Sequence, residues 1–389
     1  MENSLCLVIG AIVALIWANV DHESYEHLVH YELFGKTVHF WINDVAMSMF
    51  FMLAGKEVFE AMLPGGSLSS FKKAATPLLA TVGGMFVPAG IYAGCCMAYG
   101  MPELLKGWAI PCATDIAFSY MIARFIFGVN HAAIPFLLLV AIADDAGGLG
   151  ILAVFYPQGD INLLWFFGLV VLALILSFGL RYSGVRNFWT YLVGPGVLSW
   201  VGFYIGGLHP ALGLVPLVAT MPHERDDLGI FSDREGARGD TLNMMEHWWK
   251  HKVEIILGLF ALVNAGVVFS SVNETTWFVV FSLIVGKPLG IVACTLLATK
   301  LCGLAMPEGM TVRDLVIVGM VAGIGFTVSL FVSVCAFPGG GSVQDAAKMG
   351  ALLSIGSAGV AVLASMLLRV GRYGEVSESS LGVREAVKA

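Results

Sequence analysis

IPFLLLVAIADDAGGLGILAVFY, residues 134–156, is apolar throughout except for Asp144 and Asp145. A helix of this length is long enough to cross the roughly 30 Å hydrocarbon core of a bilayer. A carboxylate near that core costs several kcal/mol, so two side by side need a compensating arrangement. The usual ones are a proton relay, a cation site or a buried counter-ion. The chemistry of the chain is expected here.

The rest of the sequence agrees with a membrane setting. Of 389 residues, 58% are hydrophobic and only 13% charged, with a mean hydropathy of +0.83. Soluble domains carry about 25% charged residues. The net charge of −7 and the lack of a basic aromatic patch argue against a nucleic-acid partner. The seven cysteines lie in apolar or small-residue surroundings without metal-ligand spacing and read as small hydrophobes.

Windows of about 20 apolar residues predict an all-α polytopic membrane protein with about twelve transmembrane helices. They fall near 5–20, 44–63, 74–99, 108–127, 134–156, 161–181, 187–203, 205–221, 250–271, 275–300, 312–336 and 344–370. The first run lacks a signal peptide's basic start and reads as a retained span. With the N-terminus inside, sixteen Lys and Arg fall on the inner side. Only Lys36, Lys106 and Lys348 fall outside, and Lys56 and Lys287 lie within spans. This asymmetry predicts both termini in the cytoplasm. A single transmembrane domain over 1–375 is expected, with a cytoplasmic loop at 222–249 and a cytoplasmic tail at 376–389. On the outer side, YELFGKTVHF (31–40) alternates around Gly-Lys, as a short β-hairpin or an irregular loop would.

Other polar residues sit where a bilayer should exclude them. Asp115 follows Pro111 and Thr114 in WAIPCATDIAFSY (108–120), which reads as a helix broken near its middle. A proline kink with a capping aspartate is the plainer alternative. Gly319, Gly323 and Gly325 crowd the 312–336 span. Interruptions in corresponding places of two halves mark a transporter's midplane site, here in the fourth and eleventh spans of an inverted-topology repeat. Lys287 has about ten apolar residues on either side and is expected to pair with an aspartate. Asp115 would offset the positive ends of two broken helices, and Lys287 the negative ends. Glu57, Glu246, His247 and Glu254 form either a pH-sensing cluster or a solvated rim at the inner mouth. His209 belongs to that network or to the core.

Adjacent helical residues differ by about 100°, so Asp144 and Asp145 cannot share one face. One can face a cavity while the other reaches Lys287 or the broken helices. A carboxylate that holds a proton at low pH offers oxygens to a hard cation such as Na⁺ at high pH, and Thr114 could add a hydroxyl. Proton and cation would then exclude one another, which is antiport. Release of two protons for one cation would move net charge. An intramembrane aspartyl protease would want a Gly-x-Gly-Asp element that ADDAGG lacks. A cation-coupled solute symporter would want a larger polar cavity.

These motifs resemble those of the NhaA-type sodium/proton antiporters. The likeness is carried by WIND (41–44), GWAIPCATDIAF (107–118), DDAGGLGILAVFY (144–156), GKPLGI (286–291) and GIGFTVSLF (323–331), and less closely by NAGV (264–267) and Glu246–His247. It runs from about residue 5 to 370. It implies twelve helices, with spans four and eleven unwound and crossing at mid-membrane. It also implies export of Na⁺ or Li⁺ driven by H⁺ across a bacterial inner membrane, with pH control. No cofactor beyond the transported ions is implied. The partners are inorganic cations, membrane lipid and a second copy of the chain, docked through 31–40. By resemblance, Asp145 is the principal cation and proton carboxylate, with Asp144 as its partner alternately paired with Lys287. Asp115 and Thr114 carry over at the broken helix. Two departures stand out. Lys56, Glu57, Val58, Phe59, Glu60 stands where the family usually has Leu-Glu-Val-Lys-Arg-Glu. Glu254 is unusual, and Gly258 stands where the family commonly has proline. Both fall in the region tied to pH sensing, so a shifted or blunted pH profile is expected.

Overall fold

The computed structural model describes residues 5–66, 68–69, 71–223, 240–301 and 303–371, with residues 71–73 as backbone only. Most of the 222–249 loop and all of the 376–389 tail lie outside the described residues. Helices dominate. Among the described residues, seven are long and apolar enough to cross a membrane, or nine if two bent pairs each count as one span. These bent pairs are Pro102–Cys112 with Ile116–Phe127, at 53°, and Val312–Ala322 with Phe326–Ala336, at 47°. The apolar segments Leu5–Val20 and Pro210–Thr220 are shorter, and Thr241–Asn264 is a 24-residue helix with charged residues in its first half. The chain is a multi-pass membrane protein. Its apolar surface says so directly: in the 20-residue helix Leu163–Tyr182 only Val170, Ala173 and Ser177 are buried, leaving Leu164, Trp165, Phe167 and Ile175 outward-facing. A water-exposed patch of that kind would be an aggregation liability.

The chain divides into two compact units, each made of two chain segments. The first comprises Met1–Phe71 and Asp145–Ser271. Its core gathers Met52, Tyr191, Leu192, Leu217 and Leu242. Helix Leu5–Val20 packs on Thr241–Asn264 with backbones nearly touching. A Cβ at Gly10 would lie 2.2 Å from the Gly258 carbonyl oxygen, and one at Gly258 would lie 2.9 Å from that of Cys6. Small residues permit such an approach, which drives helix association where lipid supplies no hydrophobic contrast. This is what glycine does at position 258. Within 31–40, residues 32–37 form a two-stranded antiparallel ladder, pairing Glu32 with Thr37 and Leu33 with Lys36, and Val38–Phe40 already begins a helix. Phe34 and Gly35 turn it, both at positive φ.

The second unit comprises Lys72–Asp144 and Val272–Ala389. It holds both bent pairs, around a core that includes Phe136, Leu137, Ile291, Leu315 and Val318. Here helix Phe71–Ala98 meets Lys287–Leu301 through Gly83 and Gly290, each backed by the other's carbonyl oxygen. A π-helical turn, Ser282–Gly286, immediately precedes Lys287. Such turns displace the helix face beyond them.

Candidate ion site

Pro111 lies in the short helix Ile110–Cys112, which stops at extended Ala113, and Asp115 then starts Ile116–Phe127. Gly323 and Gly325 bracket the corresponding break before Phe326. The breaks are tied together within the second unit, since the Asp115 amide donates to the Ile324 carbonyl at 2.7 Å. Each oxygen of the Asp115 carboxylate then serves a different helix. Oδ1 accepts from the Phe118 amide at 3.1 Å, capping Ile116–Phe127. Oδ2 accepts from the Thr327 hydroxyl at 2.6 Å and its amide at 3.2 Å, at the start of Phe326–Ala336. One anion, only 3% exposed, thus faces the positive ends of two helices.

The opposite charge answers one of the carbonyl ends. Lys287 Nζ, itself 1% exposed, donates to the Cys112 carbonyl where the first helix of that bent pair stops. It also donates to Asp144 Oδ2 at 2.7 Å. The Thr114 hydroxyl lies 2.7 Å from that same oxygen and 3.1 Å from the Ala322 carbonyl. Its single proton therefore serves one of these acceptors at a time. Asp144 Oδ2 is doubly supplied. Its other oxygen, Oδ1, is buried and has no hydrogen-bond partner among the described residues. An ion pair this deep repays its desolvation only when the remaining lone pairs are satisfied. The orphan oxygen is where a proton or a cation would complete the arrangement. Asp145, one residue on, is half-buried where Asp144 is 1% exposed, as the 100° step between helical neighbours dictates.

The candidates for a pH-sensing cluster do not all come together. Lys56 is buried and bridges Glu60 at 2.5 Å and Glu246 at 2.7 Å. Glu57 is half-buried beside it, His247 is exposed, and Glu254 lies 3.8 Å from His251. His209 sits elsewhere, its Nδ1 3.7 Å from Asp44 Oδ1. Sequence reasoning passed over Asp44 because it stands at a span boundary, although the WIND motif contains it. It also missed the reciprocal amide pair of Asn43 and Asn264, at 2.8 and 3.0 Å. Thr327 was missed as well, since a lone threonine in an apolar run gives no charge signal.

Comparison with known proteins identifies the family. The family model described as Na⁺/H⁺ antiporter 1 matches residues 1–368. The chain belongs to that family. It is 48% identical to the Na⁺/H⁺ antiporter NhaA of Jannaschia sp. (strain CCS1), over 94% of this chain and 96% of that one. It is 43% identical to that of Desulfitobacterium hafniense (strain DSM 10664 / DCB-2), over 95% of each. In fold it is similar to the sodium proton antiporter MjNhaP1 from Methanocaldococcus jannaschii. That match has a TM-score of 0.54 and 14% identity over 94% of this chain and 92% of that one. The family is one of transporters, not enzymes, which removes the protease reading.

Proposed function

We propose that the chain exports Na⁺ or Li⁺ in exchange for H⁺ across a bacterial inner membrane, with both termini in the cytoplasm. Asp145 is the principal carrier and Asp144 its partner. The observation that carries this reading is the buried Asp144 Oδ1, without a hydrogen-bond partner among the described residues, on a carboxylate whose other oxygen is held by Lys287. In the proton-loaded form Lys287 and Thr114 hold Asp144 Oδ2. A cation drawn to oxygen ligands takes the carboxylates as the protons leave, and Lys287 yields its bond to Asp144. Asp115, fully engaged in capping, holds the two breaks together rather than carrying ions. Two protons leave for each cation, so net charge crosses the membrane. The two unwound spans, four and eleven, cross at mid-membrane within a twelve-helix inverted repeat. The family membership, the bent pairs and their shared hydrogen bonds support that topology.

Regulation rests on the inner mouth. Lys56, at a departure from the family's usual motif, holds Glu246 and Glu60 in ion pairs, and the activity profile is shifted or blunted with pH. A homodimer forms through the 31–40 hairpin, whose tip carries the exposed Phe34. Exchange in proteoliposomes, compared for the native chain, Asp145→Asn and Asp144→Asn across pH with and without an imposed potential, tests the core of this reading. Full exchange in both variants would remove the site, and indifference to potential would remove the charge imbalance. A steep pH activation would count against the shifted or blunted profile.

A further inference from the structure

Away from the ion site, the second unit has a cavity of about 470 Å³ where three apolar helices begin or end. His131 precedes Ala133–Phe155, Arg313 lies in the first turn of Val312–Ala322, and Arg369 comes just after the end of Ser342–Leu368. Helix ends of this kind lie at the headgroup level of a bilayer. Among the described residues, neither arginine meets a carboxylate. The acidic residue of the wall, Asp314, is buried and engaged: its Oδ2 accepts from the Thr311 amide at 2.7 Å, and the Thr311 hydroxyl accepts from the Asp314 amide in return. Nδ1 of His131 accepts from the Ala133 amide, so the neutral ring carries its proton on Nε2 as a donor. The cavity therefore presents guanidinium and imidazole donors with little compensating negative charge.

Arg369 is held there at a cost. It adopts the left-handed conformation, φ 53 and ψ 55, which glycine would take freely. Its two C-terminal neighbours fix it in place. Val370 is buried in the core at 4% exposure, and Gly371 packs against the backbone of Ile126 and Phe127. The chain is thus hooked under the cavity with an arginine at the strained position.

We propose that this cavity binds the phosphate group of an anionic phospholipid. Arginine's planar fork suits phosphate oxygens in pairs, and basic pockets between membrane helices are suited to acidic headgroups. The inference rests on the chain spanning a bilayer and makes no use of Asp144, Asp145 or Lys287, so it and the exchange reading can fail separately.

The test uses the full chain in neutral detergent and measures thermal unfolding. The added probes are short-chain phosphatidylglycerol, phosphatidylcholine of the same chain length, or inorganic phosphate. Phosphatidylglycerol should raise the transition temperature saturably, and phosphatidylcholine should not. Arg313→Gln with Arg369→Gln should weaken the apparent affinity about tenfold or more, equivalent to about 1.4 kcal/mol. Arg369→Gly guards against a folding failure. Relief of the left-handed strain should leave its lipid-free transition unchanged or higher, while its response to phosphatidylglycerol falls. Equal responses in native and variant proteins, or equal effects of the two lipids, would overturn the proposal. A saturable, arginine-dependent response to inorganic phosphate with none to phosphatidylglycerol would overturn the lipid assignment in favour of a soluble phosphate.

Discussion

Replacing Thr327 with valine isolates one hydrogen bond of the double cap. Valine keeps the β-branched shape, so packing around a residue only 5% exposed changes little. What is lost is the hydroxyl bond to Asp115 Oδ2 at 2.6 Å, while the backbone bond from residue 327 at 3.2 Å remains. A hydrogen bond to a charged group contributes about 1.5–3 kcal/mol, and a buried acceptor left short of donors bears most of that loss. We therefore expect Thr327→Val to destabilise the chain by about 2 kcal/mol. For a unit of this size that lowers the transition temperature by roughly 4–8 °C. Thr327→Ser, which keeps the hydroxyl, should recover more than half. A double-mutant cycle with Asp115→Asn, read by thermal unfolding in detergent, should give a coupling above about 1 kcal/mol. Exchange in proteoliposomes should fall in the valine variant and return in the serine variant. If valine and serine behave alike and the coupling is under about 0.5 kcal/mol, Asp115 does not cap both helices through this bond and the reasoning is refuted.

Packing and charge dictate three further outcomes. Lys56→Met should destabilise by about 1–2 kcal/mol, less than the 3–5 of a fully buried pair because Glu246 is 41% exposed. Thermal unfolding reads it, and Lys56→Glu combined with Glu246→Lys should restore part of the loss. Gly10→Ala should cost more than Gly258→Ala, within a range of about 1–3 kcal/mol, because its new methyl meets a carbonyl oxygen at 2.2 Å rather than 2.9 Å. The reverse order would contradict the helix packing. Phe34→Asp should lower the dimer fraction measured by light scattering, since it puts a charge at the exposed hairpin tip; an unchanged fraction would remove the hairpin from the interface.

What could be read from the chain depended on how loudly each residue violates its surroundings. Asp144, Asp115 and Lys287 stand out because a charge in an apolar run has few explanations. Pro111 and the Gly323–Gly325 pair stand out because they interrupt helix formation. Spacing could not say which oxygen of Asp115 would serve which helix. That depends on two distant breaks meeting through Ile324, Phe118 and Thr327, with Asp115 and Thr327 212 residues apart in the chain. Lys56 offered only half of its arrangement. Glu60 lies one helical turn away, but Glu246 is 190 residues distant. Asp44 was hidden by its position at the edge of a span, and Asn43 with Asn264 by the absence of charge.

The bond between Asp144 and Lys287 also constrains the birth of the molecule. The partners are 143 residues apart in the chain. At about 5–20 residues per second of synthesis, Asp144 exists for on the order of 10 s before its lysine has been made. During that interval the nascent segment carries two adjacent acids, with its counter-charge still untranslated. Helix Ala133–Phe155 must therefore wait beside the insertion machinery or enter lipid with its acids neutralised. The ribosome's pace thus sets how long the ion site exists as an unpaired liability before it can become a site at all.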